Sequence, residues 1–82
     1  IVEHNTHVGD MSSAAIINSI GGVYRQQRMY EKALEFCSRA LTILERANGS
    51  EHVSTAGPLS SIGSIYKDQE QYGKALEFYL RR

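Results

Sequence analysis

The stretch "SIGGVYRQQRMYEKALEF" at Ser19–Phe36 returns as "SIGSIYKDQEQYGKALEF" at Ser61–Phe78, 42 residues further along a chain of 82 residues. Self-similarity at a fixed period of about 20–50 residues is typical of repeat proteins, in which each copy covers an apolar face of its neighbour. The correspondence extends to the start of the chain, where "IVE" matches "ILE" at 43–45. The sequence therefore predicts a repeat array with residues 1–11 as the tail of a preceding repeat and its loop, 12–53 as a complete repeat, and 54–82 as a second repeat truncated in its last helix.

Within one repeat the apolar residues recur at three- and four-residue spacings, which favours helices. The predicted first helix spans about Ser12–Gln27 and the second about Met29–Ala47, with "RQQRM" as a short polar break that "KDQEQ" repeats. The predicted fold is all-α: tandem helix-turn-helix units stacked as an α-α superhelix. The apolar faces are Ile16, Ile17, Ile20, Val23 and Tyr24 on the first helix, Leu59, Ile62, Ile65 and Tyr66 on its copy, Tyr30, Ala33, Leu34, Cys37, Leu41 and Leu44 on the second helix, and Tyr72, Ala75, Leu76 and Tyr79 on its copy.

Small residues and helix ends add local detail to this pattern. Gly21 and Gly63 lie in the middle of predicted helices, where glycine costs about 1 kcal/mol relative to alanine. We interpret both as points of close approach to the second helix of the same unit. Hydroxyl side chains are expected to cap the first helix of each unit: Ser12 or Ser13, and Ser54 or Thr55. Pro58 is predicted to lie in the first turn of a helix, where its missing N–H is tolerated.

Composition excludes several function classes. Nine basic and nine acidic side chains give a net charge of zero, without the basic excess typical of nucleic-acid binders. No apolar run approaches the length of a membrane span. The lone cysteine, Cys37, has no partner for an internal disulfide, which fits a reducing, cytoplasmic location; its copy is Tyr79, so we predict a core residue and not a nucleophile. His4 and His7 lack further ligands around them, and we predict no metal, no cofactor and no catalytic site.

The repeat resembles the tetratricopeptide repeat. The family's Trp-x2-Leu-Gly-x2-Tyr pattern corresponds to two sets of four residues, and its Ala-x3-Phe pattern to Ala33 with Cys37 and Ala75 with Tyr79. The period of 42 instead of 34, and the loop residues Gly49 and His52, resemble kinesin-light-chain-like repeats. Two features depart from the family: no proline ends the second helix near Glu45, and Ser19 follows Asn18 where a second asparagine is expected. The two sets of residues that correspond to the Trp-x2-Leu-Gly-x2-Tyr pattern are Ile17, Ile20, Gly21 and Tyr24 in the first repeat, and Leu59, Ile62, Gly63 and Tyr66 in the second.

The resemblance implies a protein–protein interaction scaffold, in which the first helix of each repeat lines a concave groove that binds a peptide or helix of a partner. Arg25 and Lys67 occupy equivalent positions of the two repeats. A line of positive charge along the groove would favour the binding of an acidic segment. Two alternatives stay open: a self-assembling structural element that stacks through its end faces, and a regulatory repeat region of a larger signalling protein. The candidate groove residues are Asn18, Gly22, Arg25, Gln26, Ser60, Ser64 and Lys67, with Ala15, Gly57 and Asp68 beside them.

Overall fold

Four helices account for most of the chain in the computed structural model, which describes residues 2–48 and 55–81, with side chains at 13–47 and 55–81. No strand occurs in these ranges, and the predicted all-α class is confirmed. The helices pair as two hairpins, α1 with α2 and α3 with α4, and α2 also contacts α3. Their bounds are Val2–Gln26 for α1, Tyr30–Asn48 for α2, Ala56–Asp68 for α3 and Tyr72–Arg81 for α4.

The two hairpin turns have the same geometry. Arg28 and Glu70 both adopt a positive φ of 64°, which ends the preceding helix in the left-handed conformation. The amide of Met29 then donates to the carbonyl of Tyr24 at 2.9 Å, and the equivalent bond from Gln71 to Tyr66 measures 2.8 Å. These bonds satisfy carbonyl groups that a helix end leaves without partners. The predicted polar breaks are therefore specific helix-ending turns, formed here without glycine.

The predicted start of the first helix is wrong. We expected α1 to begin near Ser12 with a serine cap, but it begins at Val2 and passes through the predicted inter-repeat loop. Since residues 2–12 contain no proline and a single glycine, helical hydrogen bonds satisfy this backbone without interruption. Thr55 does occupy the N-cap position of α3, although its side chain makes no capping hydrogen bond. Ser54, Gly49 and His52 lie outside the described residues, as do the side chains of His4 and His7.

The main core forms where α2 and α3 meet. Its buried members are Ala33, Cys37 and Leu41 on α2 and Leu59, Ile62 and Ile65 on α3. A second buried cluster joins α1 to α2 through Ala14, Ala40 and Leu44. Cys37 is completely buried, and this burial is the main reason that the pKa of its thiol is raised. The prediction that Cys37 is a core residue is confirmed, and Pro58 is buried in the first turn of α3 as expected.

The two mid-helix glycines lie where the helices of each hairpin come closest. A Cβ atom added at Gly21 would approach the Cys37 Sγ atom to 2.5 Å and the Ala33 carbonyl oxygen to 3.1 Å. At Gly63 it would approach two ring carbons of Tyr79 to 2.9 Å and the Ala75 carbonyl oxygen to 3.2 Å. The prediction of close approach is confirmed at both positions, because an alanine at either site would require its neighbours to move.

The apolar faces are not buried equally in the two repeats. On α1, Ile17 and Tyr24 are half-buried, but Ile16, Ile20 and Val23 are exposed, contrary to the expectation that they pack. On α4, Tyr72 and Leu76 are likewise exposed, whereas their counterparts on α2 are partly buried. The exposed residues lie on the two outer sides of the helix stack, where no described helix follows.

Candidate functional site

The predicted groove residues lie along α1 and α3, which are in direct contact. We call this surface the candidate groove; it comprises Ala15, Asn18, Gly22, Arg25 and Gln26 on α1 and Gly57, Ser60, Ser64, Lys67 and Asp68 on α3. Ala15, Gln26, Gly57, Lys67 and Asp68 are exposed, and the remaining five are half-buried.

An ion pair joins the two helices at one end of the candidate groove. The Nε atom of Arg25 donates to Oδ2 of Asp68 at 2.6 Å, and Nη2 donates to Oδ1 at 3.2 Å. This two-point contact restrains both side chains and opposes the Arg25 charge with a carboxylate. The expected line of positive charge is therefore interrupted at Arg25. Lys67, the other basic residue of the candidate groove, does not take part in this ion pair. Sequence reasoning missed the pair because Arg25 and Asp68 are 43 positions apart.

The same pair displaces the pKa values of its members. The pKa of the Asp68 carboxyl lies below its ordinary value, chiefly because of the hydrogen bond from Arg25, while burial acts in the opposite direction. The pKa of Arg25 is raised, with the hydrogen bond to Asp68 as the largest cause. Since the Asp68 pKa is depressed, the stabilisation from the pair is present above the pKa of unfolded aspartate and is lost as pH falls through the folded value.

We expect Arg25→Gln to raise the pKa of Asp68 towards its ordinary value of 3.8. The substitution removes the guanidinium that stabilises the carboxylate. An NMR titration of the carboxyl carbon measures the change directly. Lys67→Gln is the matched control: Lys67 lowers the same pKa only as a lesser contributor, so its loss should move the titration less. Equal shifts in the two variants would contradict the geometry of the pair.

Two glycines of the candidate groove have open space where a side chain would project. A Cβ added at Gly22 or Gly57 would meet no atom of the described residues within 4 Å, so packing among those residues does not require glycine at either site. Gly22 therefore differs sharply from its neighbour Gly21. Glycine in a helix interior is unfavourable by about 1 kcal/mol relative to alanine, and at Gly22 no described residue makes a compensating contact.

Polar groups next to these glycines differ in their partners. The Oδ1 atom of Asn18 is buried and has no hydrogen-bond partner among the residues that the structure describes. The hydroxyl of Ser64 instead lies 2.9 Å from the hydroxyl of Tyr79 on α4, so it is engaged within its own hairpin. Asn18 thus carries a buried acceptor atom without a partner among the described residues, and Ser64 is in part a packing residue.

Other kinds of site were sought in the described part of the chain. It contains no group of three or more His, Cys, Asp or Glu side chains arranged to hold a metal ion. None of its helices combines the length and apolar character that crossing a membrane requires. A cytoplasmic location stays a prediction.

Comparison with known proteins agrees with the repeat and its geometry. Residues 12–82 match the family model described as tetratricopeptide repeat. No curated protein and no solved structure matches the chain. The kinesin-light-chain-like subtype and the exact repeat boundaries stay predictions. Tetratricopeptide repeats are in general scaffolds for protein–protein interaction and are typically non-catalytic. Because the match covers well over half of the sequence, this chain belongs to the tetratricopeptide repeat family.

Proposed function

We propose that the chain is an interaction scaffold that binds an extended or helical segment of a partner protein along the candidate groove. The observation that carries the proposal is the open space over Gly22 and Gly57, one glycine on each groove helix. Glycine at a position where packing does not need it allows another backbone to approach the helix closely. A bound segment would supply the contact that is absent at these two positions.

The polar groups beside the glycines suit a backbone ligand. The Asn18 Oδ1 atom is buried and has no partner among the described residues, so the side chain would have to turn outward before this oxygen could accept a hydrogen bond from an amide of the bound segment. The Arg25–Asp68 pair holds α1 and α3 together at the end of the same surface. A restrained surface loses less conformational entropy when it binds, which favours affinity. An acidic segment would be attracted mainly by Lys67, because Asp68 opposes the charge of Arg25.

The test is a screen of displayed peptides against the chain, with each selected peptide then titrated against variants. We expect Gly22→Leu to weaken binding at least tenfold, because the new side chain occupies the space over the helix. The fold should persist, since leucine has a higher helix propensity than glycine and no described atom lies within 4 Å of the added Cβ.

Gly73→Leu is the matched control for this test. Gly73 also has nothing within 4 Å of an added Cβ, but it lies on α4, outside the candidate groove. Peptides selected by the unmodified chain should bind this variant with unchanged affinity. If Gly22→Leu keeps full affinity for every selected peptide, the ligand lies elsewhere and the groove proposal is wrong.

A further inference from the structure

A pair of hydroxyl groups joins the two helices of the second hairpin beside the candidate groove. The Ser64 Oγ atom of α3 lies 2.9 Å from the hydroxyl oxygen of Tyr79 on α4. Ser64 belongs to the candidate groove, and both residues are half-buried. Although Tyr79 belongs by its spacing to the apolar face of α4, its hydroxyl group therefore reaches a polar residue of the groove.

Gly63 allows the tyrosine ring to come this close. A Cβ atom added at Gly63 would lie 2.9 Å from two carbon atoms of the Tyr79 ring, so the ring rests directly on the backbone of α3. Close packing of this kind leaves a side chain little freedom to change its rotamer. The Tyr79 hydroxyl is therefore held at a fixed position beside Ser64, by two helices and not by a loop.

The hydroxyl pair retains one hydrogen-bond donor. A bond between two hydroxyl groups uses one of their two protons, so the other proton is left for a further partner. A phenolic hydroxyl is more acidic than an aliphatic one and is therefore the better donor. This favours an arrangement in which Tyr79 donates and Ser64 accepts, with the proton of Ser64 as the one that remains.

The first repeat has no such pair. The residues 42 positions before Ser64 and Tyr79 are Gly22 and Cys37. Cys37 is completely buried, and a Cβ added at Gly22 would meet no described atom within 4 Å. The candidate groove is therefore asymmetric. Its α1 side offers open space for a close backbone approach, and its α3 side offers a hydroxyl donor.

We propose that Ser64 donates a hydrogen bond to a carbonyl or carboxylate oxygen of the bound segment, and that Tyr79 is the positioning residue that orients the Ser64 hydroxyl. This inference rests on the binding of a segment in the candidate groove. A serine hydroxyl without such a partner rotates among three staggered positions or bonds to a carbonyl of its own helix. The bond from Tyr79 restricts it before the ligand arrives, so less entropy is lost on binding. Ser64 thereby sets the register of one acceptor in the ligand.

The test is a calorimetric titration of a peptide that display has selected against the unmodified chain. Ser64→Ala should weaken binding about two- to tenfold, which is the usual net contribution of one hydrogen bond. Tyr79→Phe removes only the hydroxyl and should weaken binding about threefold, because the Ser64 hydroxyl then has three rotamers available. Tyr72→Phe is the matched control, since Tyr72 is an exposed tyrosine on the same helix outside the groove; it should bind with unchanged affinity.

A double variant separates positioning from packing. If Tyr79 acts through Ser64, Tyr79→Phe should cause no further loss of affinity in the Ser64→Ala background. A loss of the same size in both backgrounds would mean that Tyr79 affects binding by another route, and the proposed role of Tyr79 would be wrong. Urea denaturation of each variant keeps changes in stability apart from changes in affinity.

Changes in the peptide locate the acceptor. Alanine at each acidic or amide residue in turn tests a side-chain oxygen, and amide-to-ester replacement, which weakens a carbonyl as an acceptor, tests the backbone. One such change should abolish the effect of Ser64→Ala. If none does, or if Ser64→Ala binds normally while Gly22→Leu binds weakly, this inference is wrong and the groove proposal stands. If no peptide is selected, or Gly22→Leu retains full affinity, both are wrong.

Discussion

Replacing Ile62 by alanine is expected to lower the free energy of unfolding by about 2–5 kcal/mol. Ile62 is only 2% exposed and lies in the main core, where α3 packs on α2. Truncation removes apolar surface from this contact and leaves a cavity between two repeats. Urea denaturation followed by circular dichroism measures the loss.

Ile20→Ala is the matched control, since Ile20 is the same residue type at the same position of the first repeat. It is 37% exposed, because no described helix covers that side of α1. Its truncation should lower the free energy of unfolding by no more than about half as much, because less apolar surface returns to water. Equal losses in the two variants would mean that Ile20 is as deeply buried as Ile62, contrary to the structure.

Replacing Gly21 by alanine is expected to lower the free energy of unfolding by about 1–3 kcal/mol, even though alanine favours helices more than glycine does. The new Cβ would lie 2.5 Å from the Cys37 Sγ atom and 3.1 Å from the Ala33 carbonyl oxygen. Backbone atoms cannot retreat without separating α1 from α2, so the overlap outweighs the gain in propensity. The same denaturation experiment measures the change.

Gly22→Ala is the control, with the opposite expected sign. No atom of the described part of the chain lies within 4 Å of its added Cβ, so the higher propensity of alanine should raise stability by up to about 1 kcal/mol. A double variant, Gly21→Ala with Cys37→Ala, tests which atom causes the overlap. Cys37→Ala removes the Sγ atom, which lies nearest to the new methyl group at position 21. The loss caused by Gly21→Ala should therefore be smaller in the Cys37→Ala background than in the unmodified chain. Additive losses would show that the sulfur is not the obstacle.

Much of the fold could be predicted from local signals. The polar breaks at 25–29 and 67–71 mark the two hairpin turns, and Gly21 and Gly63 mark the points of closest approach. These features depend on residues a few positions apart, or on a pattern that the chain repeats. The same local reasoning failed at Ser12, because a serine before an apolar stretch also fits within a continuing helix. Whether α1 starts at Val2 or later depends on how the preceding backbone satisfies its hydrogen bonds.

The candidate groove was only partly predictable. Its residues could be placed on α1 and α3 from the repeat, but the partners of their side chains could not. Arg25 was expected to add positive charge, and the structure pairs it with Asp68. Outside the candidate groove, the guanidinium groups of Arg39 and Arg81 lie 5.2 and 5.1 Å from the ring centroids of Phe36 and Phe78, and Arg81 also forms an ion pair with Glu45 of α2 at 3.4 Å.

The sequence by itself determined the helices, their pairing into hairpins and the need for glycine at two contacts. Hydrogen bonding within a helix and the spacing of apolar residues are properties of neighbouring positions, so they can be recognised without knowing the fold. Only the tertiary structure decided which apolar faces are buried. Ile20 and Ile62 occupy equivalent positions in nearly identical segments, yet one is exposed and the other is in the core. The difference arises because α2 precedes and covers α3, whereas no described helix covers the equivalent side of α1.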